Sequence, residues 1–329
     1  MLELTLSPPS ALAAIDLGSN SFRLEVGCVA QGRYERLYCR REMVSLSAGL
    51  DSKSRLSRES IARGLRCLRK FSRDLEAMCP SQVRVVATQT LREARNREDF
   101  LRRAEEMLGL PIEVISGQEE ARLIYAGVSF LHPSTQRRLV IDIGGRSTEL
   151  IAGQGRNLNI AASFQVGSAS LSQRFFSEGR MSSARFRDAR MAVSDALRPA
   201  LAHFGPVHWD EALAASGTAR MLSAVLHANQ IGDGTLTPDG LAWLTDRCIE
   251  AGRVDRLQLP GLKPDRIKLL PGGLSALSAI AGLCEIRSMR GTKGALRQGT
   301  IIDMYERESK AAKAASLAEI RLPVSLDII

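Results

Sequence analysis

Leu12 to Val29 is an apolar stretch broken at Gly18 to Ser21, the pattern of two strands joined by a tight loop, and a third strand is expected over Tyr34 to Met43. From Ser57 to Met78 the spacing changes. Ile61, Leu65, Leu68, Phe71, Leu75 and Met78 recur at three or four residues, which predicts an amphipathic helix capped by Ser57. Val83 to Ala87 reads as a strand, Thr88 to Arg92 as a loop, Arg97 to Leu108 as a helix and Ile112 to Ile115 as a strand. Ser116-Gly117-Gln118-Glu119 then fits the S-x-x-E capping box, so a helix should open there and run on through Leu123, Ile124 and Val128.

The second half returns to the same plan. Arg138 to Ile143, Ser147 to Ala152 and Asn159 to Gln165 read as a further three-strand meander, followed by helices over Ala169 to Ser177, Ser183 to Ala202, Ala219 to His227 and Pro238 to Glu250. A short strand is expected over Glu211 to Ala215, and Pro271-Gly272-Gly273 starts another helix. Laid over each other at an offset of 126 residues, Ile15-Asp16-Leu17-Gly18-Ser19-Asn20-Ser21 and Ile141-Asp142-Ile143-Gly144-Gly145-Arg146-Ser147 share Ile, Asp, Gly and Ser. So long a period points to two related α/β domains, not to a solenoid, whose units run about 20 to 50 residues. The boundary is expected inside or just before the helix after Ser116.

The repeated loop has the residue types that phosphate binding requires. Gly18, Gly144 and Gly145 let the backbone approach an anion, and successive N–H groups then form a nest. Ser19, Asn20, Ser21 and Ser147 add donors, Arg146 adds a guanidinium, and Asp16 and Asp142 at the strand ends are candidate Mg²⁺ ligands. A single D-x-G-x-x-S reads equally as an ordinary hairpin turn. Finding it twice, each time at the head of a β-rich unit, favours two phosphate loops across a cleft. Glu149 on the returning strand is either a second carboxylate near the second loop or a plain surface Glu. Arg92 stands where a guanidinium would clamp a phosphate. Adjacent helical positions point about 100° apart, so Glu119 serves the cap while Glu120 is free either to accept a proton or simply to favour the helix dipole. Ser216-Gly217-Thr218, with Gly217 and Thr218 as donors, is a third turn where backbone amides would meet an anion, and Pro271-Gly272-Gly273 has the same character.

Composition narrows the partners. The 45 basic and 36 acidic residues leave a net charge of +9, and 38 of the basic residues are arginines, the side chain whose planar fork matches phosphate oxygens. Nucleic acid is not expected, because no recognition motif accompanies the charge. The six cysteines and four histidines show neither metal nor triad spacing, so reduced thiols and no zinc are expected. Met1 to Ser10 holds Glu3 and no basic leader, and no apolar run of about 18 residues occurs, so a cytoplasmic protein with no membrane partner is expected.

With the two loops, Thr88 to Arg92, Ile115 to Arg122, Ala215 to Thr218 and Gly294-Ala295-Leu296-Arg297, the chain resembles the exopolyphosphatase and guanosine pentaphosphate phosphohydrolase family, within the sugar kinase, heat-shock protein and actin superfamily. The likeness runs from Leu12 to Met304. It implies an α/β fold of two ribonuclease-H-like (actin-like ATPase) domains around an active-site cleft, residues 1–121 and 122–297, with the last helix, 298–312, returning to the first and 313–329 peripheral. It also implies Mg²⁺-dependent removal of the terminal phosphate of polyphosphate or guanosine pentaphosphate, and homodimers. Glu120 matches the family's general base and Arg92 a phosphate-binding arginine. Asp142 and Glu149 match carboxylates linked to metal and water, and Gly144, Gly145 and Ser147 match the second phosphate loop. Arg146 departs from the pattern, which usually has a third glycine there, and either adds a guanidinium on the substrate phosphates or partly closes the nest and alters its preference; Lys293 and Gln298 depart too, where Asp and Glu are usual. The chain resembles the short form of the family, without the C-terminal helical extension of long members, so reduced grip on a long polymer is expected. A non-catalytic sensor of polyphosphate or alarmone is the rival reading.

Overall fold

Leu12, Ala13, Ala14, Ile15 and Leu17 are all buried, as befits a strand covered on both faces, and they form the centre of the first of two sheets. The computed structural model describes residues 10–204 and 209–320, apart from the side chains of residues 202–203 and 312–320. In chain order the first unit runs β1 (Leu12–Leu17), β2 (Ser21–Ala30), β3 (Arg33–Met43), α1 (Arg58–Met78), β4 (Gln82–Ala87), α2 (Gln89–Glu93), α3 (Arg97–Leu108) and β5 (Ile112–Val114). β1 to β3 form an antiparallel meander, β4 and β5 add in parallel, and the order is β3-β2-β1-β4-β5.

After α4 (Gly117–Leu131) the plan repeats as β6 (Arg137–Ile143), β7 (Thr148–Gln154), β8 (Asn157–Phe164), α5 (Ser168–Phe175), α6 (Ser183–Phe204), β9 (Glu211–Ala214), α7 (Gly217–Ala228), α8 (Pro238–Ala251), α9 (Leu270–Leu283), β10 (Arg290–Gly291) and α10 (Leu296–Ile320). Read from its meander, the second sheet is β8-β7-β6-β9-β10, the same order as the first. This is the α/β architecture of two ribonuclease-H-like halves. The repeat extends to defects: each meander shifts register once, at Val26/Gly27 and at Ala152/Gly153. A Cβ on either glycine would strike a tyrosine side chain, the Tyr34 hydroxyl at 2.6 Å or Tyr125 at 2.4 Å.

Local chemistry sets the helix starts. Ser57, Ser116, Ser216 and Thr237 each accept an amide hydrogen at the third helical position, satisfying one of the free donors there. At Ser116 only half of the expected box forms, because the Glu119 carboxylate is taken by Arg84 and Arg122. The segment expected as a loop around Arg92 contains α2, whose Gln89, Thr90 and Leu91 are buried. Five residues are too few to show a helical period. The two-residue β10 and the 3₁₀ turns at 46–49, 254–256 and 264–269 are likewise too short to leave a pattern. Among the described residues no helix is long and apolar enough to cross a membrane, and the six cysteines are free. Met1 to residue 9, His208 and residues 321–329 of the expected tail lie outside the described residues.

α4 and α10 lie side by side between the sheets. Residues of α4 share one core with Val86 of the first sheet and Val140, Ile151 and Leu213 of the second, while Ile301 and Met304 of α10 pack on Leu12 and Ala14 of β1. Their close approach depends on glycine. A Cβ on Gly299 would lie 1.7 Å from the Leu123 carbonyl oxygen, and one on Gly127 would lie 2.7 Å from that of Ala295. Gly299→Ala is therefore expected to destabilise the protein by about 2 kcal/mol or more, although alanine favours helix by about 1 kcal/mol. Gly282→Ala in α9, where a Cβ meets nothing within 4 Å, should be neutral or stabilising. Urea unfolding of the two variants checks the contrast, and equal stabilities would contradict this account of the helix contact.

Candidate active site

Asp16 is the penultimate residue of β1 and Asp142 that of β6, and each faces a charged residue across its hairpin: Asp16 is in register with Arg23, and Asp142 with Glu149. The loops that follow are fixed by their carbonyls. Ser47 donates to the Ser19 oxygen at 3.0 Å, Ser168 to that of Gly144 at 2.9 Å and Ala169 to that of Gly145 at 2.8 Å. In a planar trans peptide the N–H points opposite to the C=O, so the amide hydrogens of Asn20, Gly145 and Arg146 are turned away from these anchors. That is the arrangement a phosphate nest needs. The loops also touch, since a Cβ on Gly145 would lie 2.8 Å from the Asn20 side-chain amide nitrogen.

Between them is a cavity of about 110 Å³, lined by Asp16, Gly18, Ser19, Asn20, Ser21, Asp142, Gly144, Gly145, Gly217 and Thr218, together with Arg23, Arg220, Arg266 and Arg297. The expected loop residues Gly18, Ser19, Asn20, Ser21, Gly144 and Gly145 are thus brought together, with Gly217 and Thr218 from the third turn. Thr218 donates its hydroxyl to the Ile143 carbonyl at 2.9 Å, which ties that turn to the second loop. Ser147 is buried outside the cavity lining, and its carbonyl closes the loop by accepting from Gly144 at 2.9 Å.

Of the four arginines only Arg297 belongs to a sequence motif, the Gly294-Ala295-Leu296-Arg297 segment. Burial and the repulsion of Arg297, Arg220 and Arg41 pull Arg23 down to about 9 against the attraction of Asp16. Burial and Arg41 likewise lower Arg266 to about 10, and burial and Arg297 lower Arg220. An anion placed among guanidinium groups would relieve such mutual repulsion. Arg297 is aimed by a buried carboxylate: its Nε donates to Glu25 at 3.1 Å while Nη1 lies 3.6 Å from Asp16. Gln298 also donates to Glu25, at 2.6 Å. A Glu at position 298 would set two carboxylates against each other.

In and beside the cavity lie carboxylates whose pKa burial raises. Burial raises Glu120 to about 7, with the charges of Asp16 and Asp142 adding to it and Arg92 opposing. Arg92 Nη1 donates to Glu120 Oε2 at 2.9 Å and to the Ile115 carbonyl at 2.8 Å, so Arg92 holds the carboxylate and does not line the loop cavity. Burial lifts Glu149 well above its ordinary range, with Glu120 and Asp142 adding to the shift, and Ser163 donates to it at 2.8 Å. Burial raises Asp142 to about 6, and raises Asp16 as well despite Arg297. Among the described residues no three acidic, histidine or cysteine side chains converge to hold a metal by themselves. Arg146, expected on the phosphates, sends its side chain to Glu93 of α2, with Nη2 at 2.6 Å.

The sequence pattern of the Ppx/GppA phosphatase family matches residues 28–308, a span that holds Arg92, Glu120 and the second loop, while the first loop precedes it. A Ppx/GppA family member from Aquifex aeolicus shares 23% identity, with 92% of this chain and 99% of that one covered at a TM-score of 0.75. An exopolyphosphatase from Cytophaga hutchinsonii shares 22%, with 89% and 98% covered at 0.80. Both share the fold.

Asp142 gives the site a stability signature. Its folded pKa of about 6 lies above the ordinary 3.8, so ionisation costs the folded state about 2–3 kcal/mol once the pH exceeds 6, and nothing below about 4. Without divalent cations, Asp142→Asn should therefore melt at a higher temperature than the wild type at pH 8, and the gain should vanish as the pH falls from 6 to 4. Thermal unfolding across that range checks it, and a gain independent of pH would contradict the assignment.

Proposed function

The chain belongs to the Ppx/GppA phosphatase family, and on that premise we propose that it is an exopolyphosphatase, hydrolysing the terminal phosphoanhydride of inorganic polyphosphate. One observation carries the reading: a small cavity walled by two Gly/Ser loops and four arginines stands beside carboxylates held near neutral pKa. The arginines and loop amides suit the charge of a phosphate chain and offset what builds up on the phosphoryl oxygens, the main task in phosphoryl transfer. Glu120 takes the proton of the attacking water as the new P–O bond forms and the bridging P–O bond breaks. The shortened chain leaves with the bridging oxygen. A base with a pKa of about 7 is well matched to that transfer at neutral pH.

Mg²⁺ fits the donor set as a proposal. It prefers one or two carboxylates completed by water and phosphate oxygens, not an all-protein cage, and Asp142 and Glu149, paired across β6 and β7, or Asp16 opposite, are buried carboxylates of that kind. When bound it would neutralise charge on the phosphoryl oxygens. Hydrolysis of guanosine pentaphosphate is the second reading, favoured by a cavity of about 740 Å³ that shares Asn20 with the loop cavity and includes Met43, Phe176, Val254 and Ile267. That space suits a bulkier, partly apolar group. A homodimer belongs to the proposal through the family resemblance alone.

The test is phosphate release from long polyphosphate, tripolyphosphate and guanosine pentaphosphate, with and without Mg²⁺. Polyphosphate should be the best substrate and chelation should stop release. Wild-type kcat should rise with pH through about 7 as Glu120 ionises, and Glu120→Gln should lower kcat about 10² to 10⁴-fold. Tight binding of polyphosphate with no release from any substrate would favour the sensor.

A further inference from the structure

Arg146 belongs to the second loop, yet its guanidinium reaches across to the first unit. Its Nε donates to Glu93 Oε2 at 2.9 Å and Nη2 lies 2.6 Å from the same oxygen. The other oxygen, Glu93 Oε1, accepts from Gln89 Nε2 at 2.6 Å. Gln89 Oε1 in turn accepts twice from Arg92, from Nη2 at 2.6 Å and Nε at 3.0 Å. The remaining Nη1 of Arg92 is the group on Glu120. An unbroken chain thus leads from the second loop to the candidate base.

The polarity of that chain is fixed. A carboxylate only accepts and a guanidinium only donates, so the Gln89 amide has one orientation that serves both neighbours, with oxygen toward Arg92 and nitrogen toward Glu93. The groups are mostly shielded, with Arg146, Glu93, Arg92 and Glu120 side chains 22%, 18%, 18% and 10% exposed. Solvent therefore screens these pairs less than it would on the surface.

We propose that Glu93 and Arg146 are positioning residues for hydrolysis: the ion pair fixes the Gln89 amide, which grips the Nε/Nη2 edge of Arg92 and so keeps Nη1 on Glu120. The proposal rests on Glu120 being the base. It assigns the residue that replaces a glycine in the second loop to orientation of the catalytic pair and not to substrate. Neither residue touches the reacting atoms.

Two variants and a swap test it. Glu93→Ala should lower kcat about tenfold and Arg146→Gly about threefold, with KM for polyphosphate within about twofold, since small misplacements of a catalytic group act on the chemical step. If Arg146 bound substrate, Arg146→Gly would raise KM at unchanged kcat, and the proposal would fall. The double variant Glu93→Arg with Arg146→Glu restores an ion pair but reverses its polarity, leaving the Gln89 nitrogen without an acceptor. It should stay as slow as Glu93→Ala, whereas full rescue would mean that the pair only closes the cleft. A readout free of turnover separates this proposal from the assignment of function. The Arg92 Nε–H resonance in ¹⁵N spectra, identified by its loss in Arg92→Lys, should shift and lose exchange protection in both single variants. An unchanged resonance overturns the proposal whether or not the wild type releases phosphate.

Discussion

Charges of both signs are buried together where the two loops meet, and the cost of taking them out of water constrains everything around them. Four carboxylates, Asp16, Asp142, Glu120 and Glu149, are each raised by burial. Four arginines line the adjoining cavity, three of them pushed down by burial and by one another. The opposite charges do not simply neutralise each other: Arg297 bridges Asp16 and Glu25, Arg92 holds Glu120, and Arg23, Arg220 and Arg266 remain under repulsion. Such an arrangement stands only on a rigid frame. The glycine contact between α4 and α10 and the packing of Gly145 against Asn20 supply it.

The duplication explains how one motif serves two tasks. Both halves present a strand-end Asp and a Gly/Ser loop, but in strand register Asp16 faces Arg23 while Asp142 faces Glu149. The first half therefore contributes a phosphate-seeking cation at the position where the second contributes a carboxylate. The matching bulges at Gly27 and Gly153 show that the two meanders share one register, while this position carries opposite charges in the two halves.

Much of this was legible along the chain because it is local. Period-two and period-3.6 patterns gave the meanders and long helices, and the offset of 126 residues gave the second loop. Glu120 could be told from Glu119 by helix geometry, and Glu119 indeed faces Arg84 and Arg122 while Glu120 is buried. The resemblance, carried by the same motifs, fixed the fold class. What escaped is non-local. Arg220 and Arg266 come from separated segments, and nothing in 38 arginines marks them until the chain closes on itself, while Arg297 stood in a motif without a role. A repeat-guided reading had one available signal, that Arg23 aligns with Glu149. Arg146 was placed by its loop, but a long side chain goes where its partner is, and Glu93 sits on a helix too short to announce itself.

The central claim is that water attacks the terminal phosphorus of a chain held between the two loops. Turnover of polyphosphate in ¹⁸O-labelled water tests it directly. The account predicts one labelled oxygen in each released orthophosphate and none at the new end of the shortened chain. Label on the residual chain, or release of orthophosphate without label, would contradict it.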